Sequence, residues 1–432
     1  MLAAQPALFS GRATSVGVCS SDRDPNFMGP LVLRREIMLE INLNMYHAVA
    51  LAAVLYYLGT KLCEKVPLFN RYCIPAPLVG GVCFAALNTV LYATGVAYIN
   101  FDSTLQTVFM NIFFTTVGFT VSLPLLKKGG KAVLLCLLLG CVLTVMQNVV
   151  GCGIMGAFGR DPRLGLLVGS VPLIGGPGTA ASYGALMDGM GITGSSVIGL
   201  AAATFGLVAG SIMGGPIARM RIERHKLECT NRSASEAEGE SETFTTTSGN
   251  FVTGFMMLML ALGIGDWVGA QLTALTGLTF PGYIGAMVVA AVVRNVVDAL
   301  GVHFPEQEID VVGNMSLNLF LSMALAGLKL WQLVDLALPM IVTLAVQVVL
   351  MFLFAYFVVF NIMGRDYDAS VMTAGFIGFS MGATSNAMAN MQVVTKKYGP
   401  SPISFFAIPM VGSMFIDFFN ALAITTMLNM LS

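Results

Sequence analysis

Gly175-Gly176-Pro177-Gly178-Thr179-Ala180-Ala181-Ser182 has a counterpart later in the chain, Gly378-Phe379-Ser380-Met381-Gly382-Ala383-Thr384-Ser385-Asn386. Both stretches are small, glycine-rich and uncharged, and both lie within strongly apolar sequence. Each follows a Gly-Arg-Asp triplet, Gly159-Arg160-Asp161 or Gly364-Arg365-Asp366, so Thr179 and Thr384 stand 18 residues past their Asp. Backbone that leaves the helix inside a bilayer costs several kcal/mol per unpaired group, so it must face protein or a water-filled cavity. Two such interruptions at matching places in two halves point to the binding site of a secondary transporter.

The surrounding composition requires a membrane. The 432 residues are 56% hydrophobic and 10% charged, with mean hydropathy +0.80. Soluble chains carry about 25% charged residues, so this one cannot cover a water-facing surface and reads as an all-α polytopic membrane protein. The net charge of −1 singles out no partner, and no nucleic acid is expected. Eight cysteines show no paired metal spacing and sit mostly in apolar runs, as small core residues do. Three histidines without an H-E-x-x-H pattern, and no nucleophile–base pair in the spans, argue against an enzyme.

Residues 1–40 form a polar N-terminal extension without the apolar run of a signal peptide, and Met38 or Met45 are alternative starts. Apolar runs follow at 43–62, 74–95, 105–124 and 131–156, each near the ~20 residues that cross ~30 Å of hydrocarbon. The region 163–219 is too long for one crossing. It reads as a re-entrant hairpin, 164–174 and 180–189 around the first break, followed by a span at 195–218. A polar linker, 220–248, has too little apolar surface to fold. The second half then repeats the order, with spans at 250–275, 280–300, 311–330 and 335–362, a broken pair at 368–379 and 387–395, and a last span at 402–430. The expected fold is two repeats, 41–219 and 249–432, each of five transmembrane helices with a re-entrant hairpin. Gln147 and Gln347 occupy corresponding spans, as do the openings Ile74-Pro75 and Phe280-Pro281.

Charge supports one topology. With the termini outside (periplasmic or extracellular) and the central linker cytoplasmic, 15 of the 22 Lys and Arg residues fall inside, outside loops keep only Arg160, Arg163 and Lys329, and the outside tail holds the other four, with Arg34 and Arg35 as a discordant pair. An odd number of crossings per half turns the halves upside down relative to each other. The hairpins then enter from opposite faces and meet near the midplane, the geometry of alternating access.

At a hairpin tip, short helices point free N–H groups and partial positive charge at the gap, which suits a carboxylate. The expected substrate-binding residues are Gly175, Gly176, Gly178, Thr179, Ala180 and Ser182 in the first tip, and Ser380, Gly382, Ala383, Thr384, Ser385 and Asn386 in the second. The competing reading, that small residues only let helices pack, fits isolated pairs such as Gly210 and Gly214. Asp417 lies mid-span among aromatics with no Lys or Arg partner in the core. An intramembrane acid is a functional candidate by default, to hold a cation or a substrate ammonium, and Asn420 shares its helix face. Asn111, Thr115, Gln147, Asn148, Asn314, Asn318 and Gln347 are neutral polar groups in apolar spans. They suit sodium, which takes oxygen ligands, or bonds between helices. Arg294, Asp298, Glu306, Glu308 and Asp310 stand at or beyond span ends and read as solvated.

With these residues in place, the chain resembles the bacterial sodium/glutamate symporter family over residues 43–430. The shared words include Ile74-Pro-Ala-Pro-Leu-Val-Gly-Gly81, Val145-Met-Gln-Asn148, Ala203-Thr-Phe-Gly-Leu-Val208, Leu328-Lys-Leu-Trp331, Ala389-Asn-Met-Gln392 and Phe415-Ile-Asp417. The resemblance implies two inverted five-helix repeats, a homodimer, and elevator-type carriage of L-glutamate coupled to Na+ across the inner membrane. The family's first tip commonly reads Gly-Gly-His-Gly-Thr, whereas here Pro177 replaces the His and Tyr183 stands near an expected Trp. In the second tip, Ser385 follows Thr384 where a Pro is expected. The alternatives are the same fold carrying another small carboxylate, amino acid or sulfonic acid, or an anion channel.

Overall fold

The structure is a computed structural model that describes residues 39–71, 74–229, 247–276 and 280–432. Most of the expected N-terminal extension, and linker residues 230–246, therefore lie outside the described residues. The described chain opens with a strand that the sequence reading did not anticipate. β1 (Leu39–Leu43) pairs in parallel with β2 (Ala97–Phe101), Leu39 opposite Ala97 and Leu43 opposite Phe101. The buried Asn88 amide stitches β2 to the helix before it, donating to the Ile99 carbonyl and accepting from the Ile99 N–H, both at 3.0 Å.

Helices fill the rest. Asn44 caps α1 (Met45–Lys65), its side chain accepting from the N–H groups of Tyr46 and His47. After the short α2 (Pro67–Arg71) come α3 (Ala76–Ala93), opened by Pro75, then α4 (Thr104–Thr120) and α5 (Leu123–Ala157). Gly130, at φ +61°, kinks α5 near its start. The first interrupted region is a 3-10 turn (Pro162–Val168), α6 (Ser170–Leu173) and α7 (Gly176–Gly189), followed by α8 (Ser195–His225).

The second half runs α9 (Ser248–Thr276), α10 (Tyr283–Leu300), α11 (Glu306–Ala326) and α12 (Ala337–Leu353). A π-helical turn (Phe354–Val359) joins α12 to α13 (Phe360–Met363). The second interrupted region is α14 (Tyr367–Met381) and α15 (Thr384–Tyr398). The last span is α16 (Pro402–Met410), a π turn (Val411–Phe415) and α17 (Ile416–Met430). Among the described residues, eight helical segments are long and apolar enough to cross a membrane, and they coincide with eight of the ten expected spans. α1 and α4 occupy the other two positions.

The repeated Gly-Arg-Asp triplets are capping turns. Asp161 and Asp366 are the N-cap residues of the segments that lead into the two breaks, accepting from the N–H of Arg163 and of Ala369. The opening helices of each half also pack alike. A Cβ on Gly59 would stand 1.9 Å from the Ala76 carbonyl oxygen, and one on Gly285 would stand 2.0 Å from that of Gly265, so α1 meets α3 and α9 meets α10 backbone to backbone.

Two groups of helices pack chiefly within themselves. α1, α3, α4, α9, α10 and α11 form one; α5 to α8, α12 and α14 to α17 form the other. Two expectations about charge change. α8 runs through residues assigned to the linker, ending at His225 and not near 218, and it buries Arg221. Arg294 and Glu308 are buried as well, Arg294 forming ion pairs with Asp298 (3.1 Å) and Glu306 (3.0 Å) while Ser122 Oγ donates to Asp298 (2.6 Å).

Candidate functional site

The two breaks touch. Gly176, the first residue of α7, has φ +65°, and a Cβ there would meet the Gly382 carbonyl oxygen at 3.2 Å. Both the backbone angle and the close approach require glycine. α7 follows Gly175, and α15 follows Ala383 in extended conformation; neither cap residue supplies a side-chain hydrogen bond. The Asn386 N–H donates to the Ala383 carbonyl (3.0 Å); the earlier first-turn N–H groups of both helices keep their capacity for an anion. Pro177 removes one of those donors from α7.

Around the breaks, Thr179, Ala180, Ser182, Ser380 and Asn386 are buried, Ala383 and Thr384 half-buried, and Ser385 exposed. Gly175 packs on the Thr179 side chain, and a Cβ on Gly178 would lie 3.3 Å from both Phe113 of α4 and Leu317 of α11. The first break is thus the place where one helix group faces the other. The second break is held to α8, with Asn386 Nδ2 donating to the Leu207 carbonyl at 2.8 Å.

Gln147 and Gln347 come together at the second break. Gln147 Nε2 donates to the Ser380 carbonyl (3.1 Å), and Gln347 Nε2 donates to the Gln147 carbonyl (2.7 Å). Both amide oxygens are left over. Among the described residues, Gln147 Oε1, Gln347 Oε1, Ser380 Oγ and Asn386 Oδ1 are buried without a hydrogen-bond partner, and so is Asn111 Oδ1 on α4. An orphaned buried acceptor costs about 1–3 kcal/mol, and a cation that takes oxygen ligands would relieve it.

The remaining candidates are more dispersed. Asn148 Oδ1 accepts from the Ser170 N–H (2.9 Å), Ser170 Oγ donates to Asn420 Oδ1 (2.6 Å), and Asn420 Nδ2 returns to the Ser170 carbonyl (3.3 Å). Asn148 and Asn420 are therefore linked through Ser170, a residue that sequence reasoning missed because one Ser in an apolar run carries no distinguishing pattern. Thr115 Oγ1 bonds back to the Asn111 carbonyl (2.7 Å). Asn314 is exposed and Asn318 half-buried on α11.

Asp417 is half-buried one residue into α17, directly after the π turn, and makes no hydrogen bond or ion pair among the described residues. Tyr183, noted in the sequence only as a departure, donates to the Ala421 carbonyl (2.9 Å) and meets Thr425 Oγ1 at 2.8 Å, tying α7 to α17. Asn390 was also missed. It fills the space that Gly214 leaves and donates to the Gly210 carbonyl (3.0 Å), which makes those two glycines packing seats.

A cavity of about 300 Å³ leads to the site between the helix groups. Phe113, Thr116 and Thr120 of α4, Glu306, Asp310 and Asn314 of α11, and Ser413 line it. Since Phe113 abuts Gly178, the cavity approaches the first break from the end where α11 begins.

A family profile described as Sodium/glutamate symporter matches residues 41–400. A sodium/glutamate symporter of Escherichia coli (strain K12) is 38% identical over 393 residues, covering 88% of this chain and 97% of the relative. That of Haemophilus influenzae is 37% identical over 385 residues, covering 87% and 95%. Among solved structures, a sodium–proton antiporter from Methanocaldococcus jannaschii overlays 89% of this chain and 97% of its own at a TM-score of 0.41 and 15% identity.

Proposed function

The chain belongs to the sodium/glutamate symporter family, and on that premise we propose that it is a secondary active transporter taking up L-glutamate together with Na+. The observation that most supports this reading is the meeting of the start of α7 at Gly176 with the α14–α15 break at Gly382, beside buried oxygens that lack partners among the described residues. The helix N-termini and the hydroxyls of Thr179, Ser182, Thr384 and Ser385 receive the carboxylates. Gln147 Oε1, Gln347 Oε1 and Ser380 Oγ form the core of a sodium site, with Asn111 and Asn386 as further donors of oxygen. Asp417, without a hydrogen-bond or ion-pair partner among the described residues, holds the substrate ammonium or a second sodium ion.

Coupling follows from the electrical work. One charge across 100 mV is worth about 2.3 kcal/mol, so an anion alone enters against the field, and two or more Na+ per glutamate make entry favourable. Movement follows from the two helix groups, which touch at Gly178, Phe113 and Leu317. The group that carries both breaks slides past the other in an elevator motion, and the α4–α11 cavity is its opening on the linker side. In this reading the halves are inverted repeats with re-entrant hairpins, the linker is cytoplasmic, the membrane is the inner membrane, and α1, α3, α4 and α9 to α11 supply a homodimer scaffold.

One observation favours a second cargo. Pro177 removes an N–H from the first turn of α7, which weakens the cradle for one carboxylate, so another small carboxylate, amino acid or sulfonic acid is the alternative. Equilibrium binding to the purified protein distinguishes them. L-Glutamate affinity should rise with Na+, and Na+ affinity should rise with glutamate by the same factor. Sodium-independent glutamate binding would remove the coupled site, whereas sodium-enhanced binding of a different anion would change only the cargo.

A further inference from the structure

At the end of α8 that leads into the linker, Arg221 is 6% exposed. Its guanidinium lies 3.6 Å from the Tyr356 ring centroid and 4.5 Å from that of Phe360. Nη2 donates to the Tyr356 carbonyl, Nη1 meets His225 Nε2 at 3.2 Å, and Nε is buried with no partner. The Tyr356 carbonyl belongs to the π turn Phe354–Val359, where the helical bonding register is shifted. Arg224 Nη1 reaches the Tyr356 hydroxyl at 3.0 Å, and the Arg365 N–H donates to the carbonyl of Phe360, whose ring faces Arg221, at 3.2 Å.

These cations lack an acid. Among the described residues, no carboxylate forms an ion pair with Arg221, Arg224 or Arg365. Glu223 lies on a different face of α8, engaged with Arg219 (2.7 Å), Tyr398 (3.0 Å) and Lys397 (3.9 Å). A guanidinium stays charged even when buried, and a buried charge without a counter-charge is expensive. The two rings and the carbonyl offset part of that cost; an anion would offset the rest. Beside the cluster in sequence, Met220 of α8, Phe357 of the π turn and Ile362 of α13 expose apolar side chains.

We propose that Arg221, Arg224 and Arg365 bind the phosphate of an anionic phospholipid headgroup from the leaflet on the linker side. The exposed Arg224 and Arg365 supply the donors, the buried Arg221 charge adds to the field, and Met220, Phe357 and Ile362 give the acyl chains a bed that free phosphate would not use.

Thermal unfolding of the full-length protein in neutral detergent tests this. Cardiolipin or phosphatidylglycerol should raise Tm by about 3 °C or more, phosphatidylcholine should not, and the Arg224→Gln/Arg365→Gln variant should lose most of the shift. Both substituted positions are exposed, so Arg221 stays in its ring stack and the variant should fold. Four results would overturn the proposal: an equal shift with phosphatidylcholine, an undiminished shift in the variant, an equal shift from inorganic phosphate, or none with anionic lipid. If a shift appears only after Glu236, Glu238, Glu240 and Glu242 are changed to Gln, the chain's own acidic segment is the occupant, and the lipid assignment is wrong.

Discussion

Among the described residues, Asp417 has neither hydrogen bond nor ion pair in a mid-span position where a carboxylate costs about 2.5–3.5 kcal/mol on insertion scales. A group that expensive is retained for what it binds. Asp417→Asn should abolish sodium-coupled uptake in proteoliposomes while membrane expression stays normal; wild-type uptake would remove Asp417 from the site. The glutamines make a graded case. Gln147→Leu or Gln347→Leu deletes one orphan oxygen, and with it an interaction with a charged ligand worth about 1.5–3 kcal/mol. Half-saturation for Na+ should rise by about 10-fold or more, while an unchanged sodium dependence would assign these oxygens to structure alone. Asp417 and the two glutamines were legible in the sequence because polar atoms stand out in apolar runs. Their partners were not. No spacing announces that Gln147 reaches Ser380, or that Ser170 joins Asn148 to Asn420, because those contacts cross between segments far apart in the chain.

The interrupted helices were legible as elements because glycine runs in apolar sequence have few other uses. Their internal geometry was less so, since the first break enters through a 3-10 turn and a four-residue helix and the second through a full helix. Gly176→Ala forces a side chain into a positive-φ position 3.2 Å from the Gly382 carbonyl, so it should separate the breaks. Glutamate binding should fall sharply with the helical circular dichroism unchanged, and unaltered binding would mean that the breaks need not touch. Asp161 tests the entry turn. Hydrogen bonds from the Arg163 side chain hold its carboxyl below the usual range, so its stabilising contribution is present above the ordinary value of about 3.9. That contribution is lost as pH falls through the lowered value. Asp161→Asn should lower Tm near neutrality, and the gap from wild type should close toward about pH 3; a gap that persists in acid would point to lost packing instead. The end of α8 was misread because a run of arginines resembles a solvated linker, and only the rings of Tyr356 and Phe360 explain why the helix continues. β1 escaped notice because five residues in front of a span give too short a pattern.

For the whole molecule, hydropathy placed the spans and the loop charges suggested an orientation, whereas the division into two helix groups needed the packing. If one group moves past the other, tying them together should stop transport. Thr120 of α4 and Ser413 of the last span approach to 3.5 Å across the cavity mouth. In a background without native cysteines, a cross-link between Thr120→Cys and Ser413→Cys should block uptake and reduction should restore it. Full activity in the cross-linked protein would rule out sliding at this contact. Coupling itself is tested most directly by uptake of labelled L-glutamate into proteoliposomes under an inward Na+ gradient, compared with the same gradient of K+. Accumulation above the external concentration with Na+, and none with K+, is the predicted result. Equal entry with both cations, stopping at equilibrium, would contradict sodium-coupled transport and favour a channel.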